Sequence, residues 1–227
     1  MGLDRNQIAW RIAQDIADGS YVNLGIGMPE LVADFIPEGR EIVFHSENGL
    51  LGMGPKPPKD QEDPDLMNAG KKPVTLVPGG AYFHHTDSFL MIRGGHLDLC
   101  VLGAYQISET GDLANWATNN DKRLPAVGGA MDLAAGTPRV IAMTTHCARD
   151  GAPKLLGECT FPLTAAGVVD RVYTDLAVVD VTPDGFVARE IIDGMSLAEL
   201  QDRTGAPLAA ADDLGILKAP ALGETAG

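Results

Sequence analysis

Residues 41–55, Glu-Ile-Val-Phe-His-Ser-Glu-Asn-Gly-Leu-Leu-Gly-Met-Gly-Pro, hold the residue types best placed to do chemistry. Ile42-Val43-Phe44 is β-branched and aromatic, the composition of a buried strand. The stretch then breaks into a loop carrying Gly49, Gly52 and Gly54, closed by Pro55. One carboxylate, Glu47, stands where strand gives way to loop. In open parallel α/β sheets, ligands bind beyond the strand C-termini. An acid there, flanked by glycines that admit a ligand to the backbone, can serve as nucleophile or base. The same local pattern also fits an ordinary solvated loop acid. A second glycine pair, Gly128-Gly129 before Ala130, offers backbone N–H groups that could face such a carboxylate, or simply a turn into a helix. A carboxylate nucleophile needs an acyl-exchanging electrophile and an oxyanion site, and a thioester suits that pairing.

Other chemistries find less support. His45, His84, His85, His96 and His146 make no HExxH or other ligand spacing, so no metal is expected. Cys100, Cys147 and Cys159 are odd in number and lack a CxxC, which indicates neither a disulfide framework nor a thiolate zinc site. No GxSxG elbow or GxxxxGK[ST] loop occurs. Gly25-x-Gly27 resembles the start of a dinucleotide fingerprint, but Glu30 occupies the place of the third glycine. That turn is read instead as close strand–helix packing or a substrate approach.

The elements that must position these residues follow from pattern. Ile8, Ile12 and Ile16, with Ala9, Ala13 and Ala17 beside them, form the stripe of an amphipathic helix over 4–18, stopped by Gly19. Strands are expected at 21–24, 42–44, 74–77, 97–102, 140–143 and 175–181. The segment 182–185 should turn into a partner strand over 186–191. Helices are expected from Pro29 to Phe35, over 85–93 with Asp87 or Ser88 as cap, and after the capping box Ser196-Leu197-Ala198-Glu199. The stretch 103–120 is read as loop-rich. Residues 56–72 form a long proline-rich excursion with Lys56, Lys59, Lys71 and Lys72. It is either a solvated loop or a phosphate contact that closes as a lid. From Pro207 on the chain is alanine-rich and unpatterned, so 1–208 is taken as the domain and 209–227 as a frayed tail. The result is an α/β domain of three layers with a mostly parallel sheet and an antiparallel hairpin.

The totals agree with a single core. The chain has 227 residues, 45% hydrophobic and 21% charged, with 27 glycines and 15 prolines that suit many tight connections. A net charge of −14 argues against nucleic acid and against a polybasic membrane patch. No apolar run has membrane-spanning length and the N-terminus is no signal peptide, so a reducing, cytoplasmic setting is expected.

Ser46-Glu47-Asn48-Gly49 with Gly52 resembles the active-site signature of the family I CoA-transferases. The likeness continues through Leu24-Gly25-Ile26-Gly27-Met28-Pro29, Arg93-Gly94-Gly95-His96-Leu97-Asp98 and Gly111-Asp112-Leu113-Ala114-Asn115-Trp116. It extends to Gly128-Gly129-Ala130-Met131-Asp132-Leu133 and Tyr173-Thr174-Asp175-Leu176-Ala177-Val178, covering roughly 5–208. The chain resembles the B-type (beta) chains of the 3-oxoacid CoA-transferases within that family. The resemblance implies a NagB/RpiA/CoA-transferase-like fold and a glutamyl-CoA thioester on Glu47. It implies an oxyanion and CoA site at Gly128, Gly129 and Ala130, and separately active-site loop residues Asn48, Gly49, Gly25 and Gly27. It further implies coenzyme A esters as substrates with no permanently held cofactor, succinyl-CoA as donor and a 3-oxoacid as acceptor. A CoA-transferase A (alpha) subunit would complete an A2B2 hetero-oligomer. Lys71 lies in a stretch resembling a CoA-contacting part of the family. His84-His85 resembles the segment of 3-oxoadipate enzymes more than that of acetoacetate enzymes. The pair could meet the extra carboxylate, cap the next helix or lie at a contact between subunits. The alternatives are an acyl-CoA hydrolase of the same fold and a non-enzymatic ligand sensor.

Overall fold

The computed structural model describes residues 2–119 and 126–221. Helix α1 (Arg5–Asp15) begins at Asp4, whose carboxylate accepts from the Asn6 and Gln7 N–H groups while the Gln7 side chain accepts from Asp4 N–H. This reciprocal cap fixes the start, and Ile8, Ala9, Ile12 and Ala13 are buried as their spacing requires. Strand β1 (Tyr21–Leu24) leads to a 3-10 helix, Met28–Phe35, in place of the expected α-helix. There follow β2 (Val43–Ser46), β3 (Leu50–Met53), β4 (Leu76–Tyr82), α2 (His85–Arg93), β5 (Leu99–Gly103), β6 (Gln106–Ser108) and β7 (Leu113–Ala114). The chain continues through α3 (Ala130–Gly136), β8 (Val140–Met143), β9 (Leu155–Leu156), β10 (Val169–Tyr173), β11 (Ala177–Thr182), β12 (Gly185–Ile192), α4 (Leu197–Gln201) and β13 (Leu208–Leu217).

Ten strands form one sheet in the order β13-β12-β11-β10-β8-β5-β1-β2-β3-β4. Its centre, β10-β8-β5-β1-β2, is parallel throughout, and antiparallel strands flank it on both sides. The expected α/β architecture with a mostly parallel sheet is therefore present at the core. Along β5, Leu99 and Val101 pack under α1 and the 3-10 helix, while Cys100 and Leu102 join Ile92 of α2 and Leu133 of α3 on the opposite face. A strand covered on both faces has no polar side, which is why 99–102 reads as an unbroken apolar run, with the exposed Asp98 lying just before it.

Four expectations need correction. The loop foreseen after Glu47 is a β-hairpin: Gly49 N–H donates to Ser46 O at 2.9 Å, and β3 returns antiparallel to β2. Gly49 has φ +115°, and a Cβ there would overlap the Phe83 carbonyl, so glycine is required at this turn. Strand β4 runs on through Pro78-Gly79-Gly80 instead of ending there. It is the edge strand of the sheet, where a proline without an N–H is tolerated. The 103–120 segment is less irregular than foreseen, since β6 and β7 form a small sheet with β9. Finally, 208–217 is not a frayed tail. It is β13, parallel to β12, with Leu208, Ala211 and Leu217 buried.

Candidate active site

The C-terminal ends of the central parallel strands open onto a cavity of about 640 Å³. Gly25 reaches it from β1, Glu47 from β2, Leu102 from β5 and Thr144 from β8, with Gly128 and Gly129 entering ahead of α3. Sheet order thus gathers residues more than a hundred positions apart in the chain at one mouth, as expected for an open α/β sheet.

Glu47 is half-buried, and its carboxylate rests on the Cα of Gly129: a Cβ at that position would lie 2.8 Å from Glu47 Cδ. Glycine is needed there for close approach and not for its backbone angles, which are an ordinary helical φ −70°, ψ −13°. Burial raises the Glu47 pKa above the usual glutamate range; His85 opposes that shift and Asp132 reinforces it. Glu47 is therefore a more basic carboxylate than one in water.

The strand under Glu47 is fixed by His45. Its buried ring meets Asn23 Nδ2 at 2.9 Å through Nδ1 and Ser88 Oγ at 2.9 Å through Nε2, tying β2 to β1 and α2. Burial lowers the His45 pKa to about 4, so the ring is neutral at pH 7. Ser88, foreseen as a helix cap, serves this link instead. The cap of α2 is His84, whose Nδ1 accepts the Thr86 N–H at 3.2 Å.

The remaining expected site residues divide. Gly25 lines the cavity, and a Cβ there would press within 3.1 Å of Leu102 Cδ2. Gly128, Gly129 and Ala130 line it as well. Asn48, Gly49, Gly27, Lys71, His84 and His85 do not. Asn48 instead donates to Met67 O at 2.8 Å, and Ser46 Oγ accepts from Ala69 N–H at 3.0 Å. These bonds draw the 56–72 excursion onto the strand end beside Glu47, and Ala69 becomes part of the cavity wall. Glu30 holds the same excursion through Asn68 and Lys72, at 2.8 Å each, so the Lys72 charge is paired. Lys71 is exposed, with a left-handed φ of +61°. His85 faces Glu47 electrostatically and packs on Phe89, ring centroids 4.8 Å apart.

Sequence reasoning missed the opposite wall. Lys154 enters the cavity from the loop before β9 and donates to Thr144 Oγ1 at 2.8 Å and Thr145 Oγ1 at 2.9 Å. Asn23 and Asn115 also line it, and Asn115 Nδ2 donates to Gly103 O at 3.0 Å. The polar pair Thr144-Thr145 directly after an apolar strand was the available signal; Lys154 had none in its own neighbourhood. No helix among the described residues is long and apolar enough to cross a membrane.

Comparison with known proteins places these features in a family. The profile described as coenzyme A transferase matches residues 5–202. The chain is 56% identical over 206 residues to the B chain of the 3-oxoadipate CoA-transferase of Pseudomonas putida, covering 91% of this chain and 96% of that one. It is 46% identical over 202 residues to the B chain of the succinyl-CoA:3-ketoacid coenzyme A transferase of Helicobacter pylori, covering 89% and 97%. An acyl-CoA transferase from Escherichia coli O157:H7 shares the fold, with a TM-score of 0.73 at 20% identity. That match covers 95% of this chain and 44% of the longer one. On its sequence and on the architecture that carries Glu47, the chain belongs to the coenzyme A transferase family.

Proposed function

We propose that this chain is the catalytic, B-type half of a CoA-transferase that moves CoA from succinyl-CoA to a 3-oxoacid through a thioester on Glu47. The observation that carries the reading is the placement of Glu47: a partly desolvated carboxylate, packed on Gly129, in a cavity at the strand C-termini. Glu47 attacks the thioester carbonyl, and collapse of the tetrahedral adduct gives a mixed anhydride and the CoA thiolate. The thiolate then attacks the glutamyl carbonyl, forming glutamyl-CoA and releasing succinate. The acceptor carboxylate attacks in turn, and the same steps in reverse deliver its CoA ester and free Glu47. The uphill formation of each anhydride is followed by its downhill collapse to a thioester, and overall one thioester is exchanged for another, so no ATP is consumed and CoA esters are the only carriers required.

Desolvation assists at two points. It leaves the carboxylate more basic and thus more nucleophilic, and it keeps water from an anhydride that would hydrolyse. Gly128, Gly129 and Ala130 bring backbone N–H groups to the side of the cavity where the oxyanion forms. One such donor is typically worth about 10²–10³-fold in rate. Asn48 and Gly49 act indirectly, by shaping the turn that aims Glu47.

The acceptor is read as 3-oxoadipate first and acetoacetate second. The His84-His85 segment and the names of the relatives support that order. Relatives named as the second of two chain types support an A-type partner, and we assign an A2B2 assembly. In the test, the assembled complex is incubated with succinyl-CoA, trapped with hydroxylamine or borohydride, and mapped by mass spectrometry. The label is expected on Glu47, and Glu47→Gln should abolish transfer. A label elsewhere, or turnover surviving in the glutamine variant, rejects the mechanism.

A further inference from the structure

The Lys154 ammonium is held unusually firmly for a lysine. Thr144 donates its own hydroxyl proton to Ala104 O at 2.9 Å, and Thr145 donates to Cys147 O at 2.7 Å. Each threonine oxygen therefore presents a lone pair to Lys154, and two of the ammonium's three protons are fixed. The third is left for something in the cavity. Among the described residues no carboxylate forms an ion pair with Lys154, and Asp175 acts on it only from beyond contact. A half-buried cation hydrogen-bonded to neutral oxygens, in a chain of net charge −14, is a receptor awaiting an anion.

Its position says which anion. Lys154, its ammonium held on the two threonines that follow β8, and Glu47, at the end of β2, line the same cavity, and β5 and β1 lie between those two strands. Three strand spacings amount to about 14 Å. A four-carbon diacyl chain spans about 4 Å between its carboxyl carbons at about 1.5 Å per bond. Contacts of about 3 Å at each end bring the total to about 10 Å. The remaining few ångströms are taken up by the two side chains reaching inward. A six-carbon diacid adds about 2 Å and still fits.

We propose that Lys154 determines specificity by binding the distal carboxylate of dicarboxylic acyl groups while their thioester end meets Glu47. This rests on the reading of Glu47 as nucleophile. In the complex with the A-type partner, kcat/KM is measured for succinyl-CoA and for butyryl-CoA, which has the same length without the second carboxylate. In Lys154→Met the preference for succinyl-CoA over butyryl-CoA falls about 10- to 100-fold, the range for a hydrogen bond to a charged group. Lys154→Arg restores part of it. Lys154→Gln, which can still donate to the threonines, serves if the methionine variant does not assemble, and shows the same fall. An equal loss for both esters points to the CoA moiety as the anion bound and overturns the proposal, as does an unchanged preference. Calorimetric binding of monomethyl succinate and methyl butyrate, whose ester ends stand in for the thioester so that only the first carries a carboxylate, in the Glu47→Gln complex separates the two claims. There, Lys154→Met weakens monomethyl succinate about 10- to 100-fold and leaves its affinity relative to methyl butyrate near one. That result holds whether or not Glu47 is the nucleophile; an unaltered ratio refutes the role of Lys154 alone.

Discussion

Replacing Gly129 by alanine should separate activity from stability. The added Cβ would lie 2.8 Å from Glu47 Cδ and 2.9 Å from Oε1, with Oε2 closer still. Carbon contacts relax at about 3.5–4.0 Å, so the carboxylate must withdraw by about 1 Å. The obstructing atoms are the free end of a flexible side chain, and Glu47 can swing away without moving the backbone. Residue 129 itself adopts φ −70°, ψ −13°, which alanine accepts without strain. Gly→Ala at a compatible position stabilises by about 0.4–1 kcal/mol through the unfolded chain. The variant is thus expected to melt at or slightly above the wild-type temperature. A reacting group displaced by about 1 Å from attack geometry loses about 10²-fold in rate, and kcat for acyl transfer in the assembled complex should fall by that order. Gly215→Ala is the control, since its Cβ meets only Glu190 Cγ at 3.5 Å and Arg189 O at 3.6 Å, both ordinary contacts. Turnover of Gly129→Ala within about threefold of wild type, well inside the effect of such a displacement, would show that Glu47 does not need its seat on residue 129. A loss of activity matched by a lower melting temperature would refute the argument differently, by tracing the defect to folding.

Two further outcomes follow from burial. Burial gives Glu47 a higher pKa folded than unfolded, so the folded state is favoured at low pH and that contribution is lost as pH rises through the folded-state value. Glu47→Gln should therefore raise the unfolding temperature at pH 7. The gain should shrink on acidification towards the ordinary glutamate range, where both states are protonated; a variant less stable than wild type at pH 7 contradicts the sign. Truncation after Pro207 removes β13 and the burial of Leu208, Ala211 and Leu217. At about 1.5–3 kcal/mol per large side chain, and about 2–4 °C per kcal/mol in a domain of this size, melting should drop by about 10 °C or the chain should aggregate. An unchanged melting curve would return the segment to the status of a tail.

What can be read in the sequence depends on whether the cause is local. α1, β5, β8 and the β11–β12 hairpin carry their signals within a few residues: an apolar period, a cap, or a four-residue turn. Glu47 is visible for the same reason, as an acid between a strand and glycines. β4 and β13 escape such a reading because they are edge strands, half solvated, so their sequences need not alternate or avoid proline. The turn after Glu47 reads as a loop because glycines announce bends without saying whether the chain pairs again afterwards. Lys154 lies beyond local reading altogether. Its relation to Glu47 exists only because parallel pairing places β8 three strands from β2 and points both ends the same way.

Under the roles proposed for Glu47 and Lys154, that separation also resolves a conflict in what the cavity must contain. A lysine beside Glu47 would bind an anionic substrate but would stabilise the ionised carboxylate, lowering its basicity and blunting the nucleophile. At an effective dielectric of about 20, unit charges about 4 Å apart interact by about 4 kcal/mol, whereas at about 10 Å the figure is about 1.7 kcal/mol. The side chains that act electrostatically on Glu47 are His85 and Asp132, in opposite directions, and Lys154 is not among them. The nearest buried ring on its own strand, His45, is neutral because burial depresses its pKa to about 4. Glu47 therefore keeps the elevated basicity that desolvation confers, while the cation needed to hold a second carboxylate stands at the far wall. The sheet supplies both conditions at once by fixing how far apart its strand ends must be.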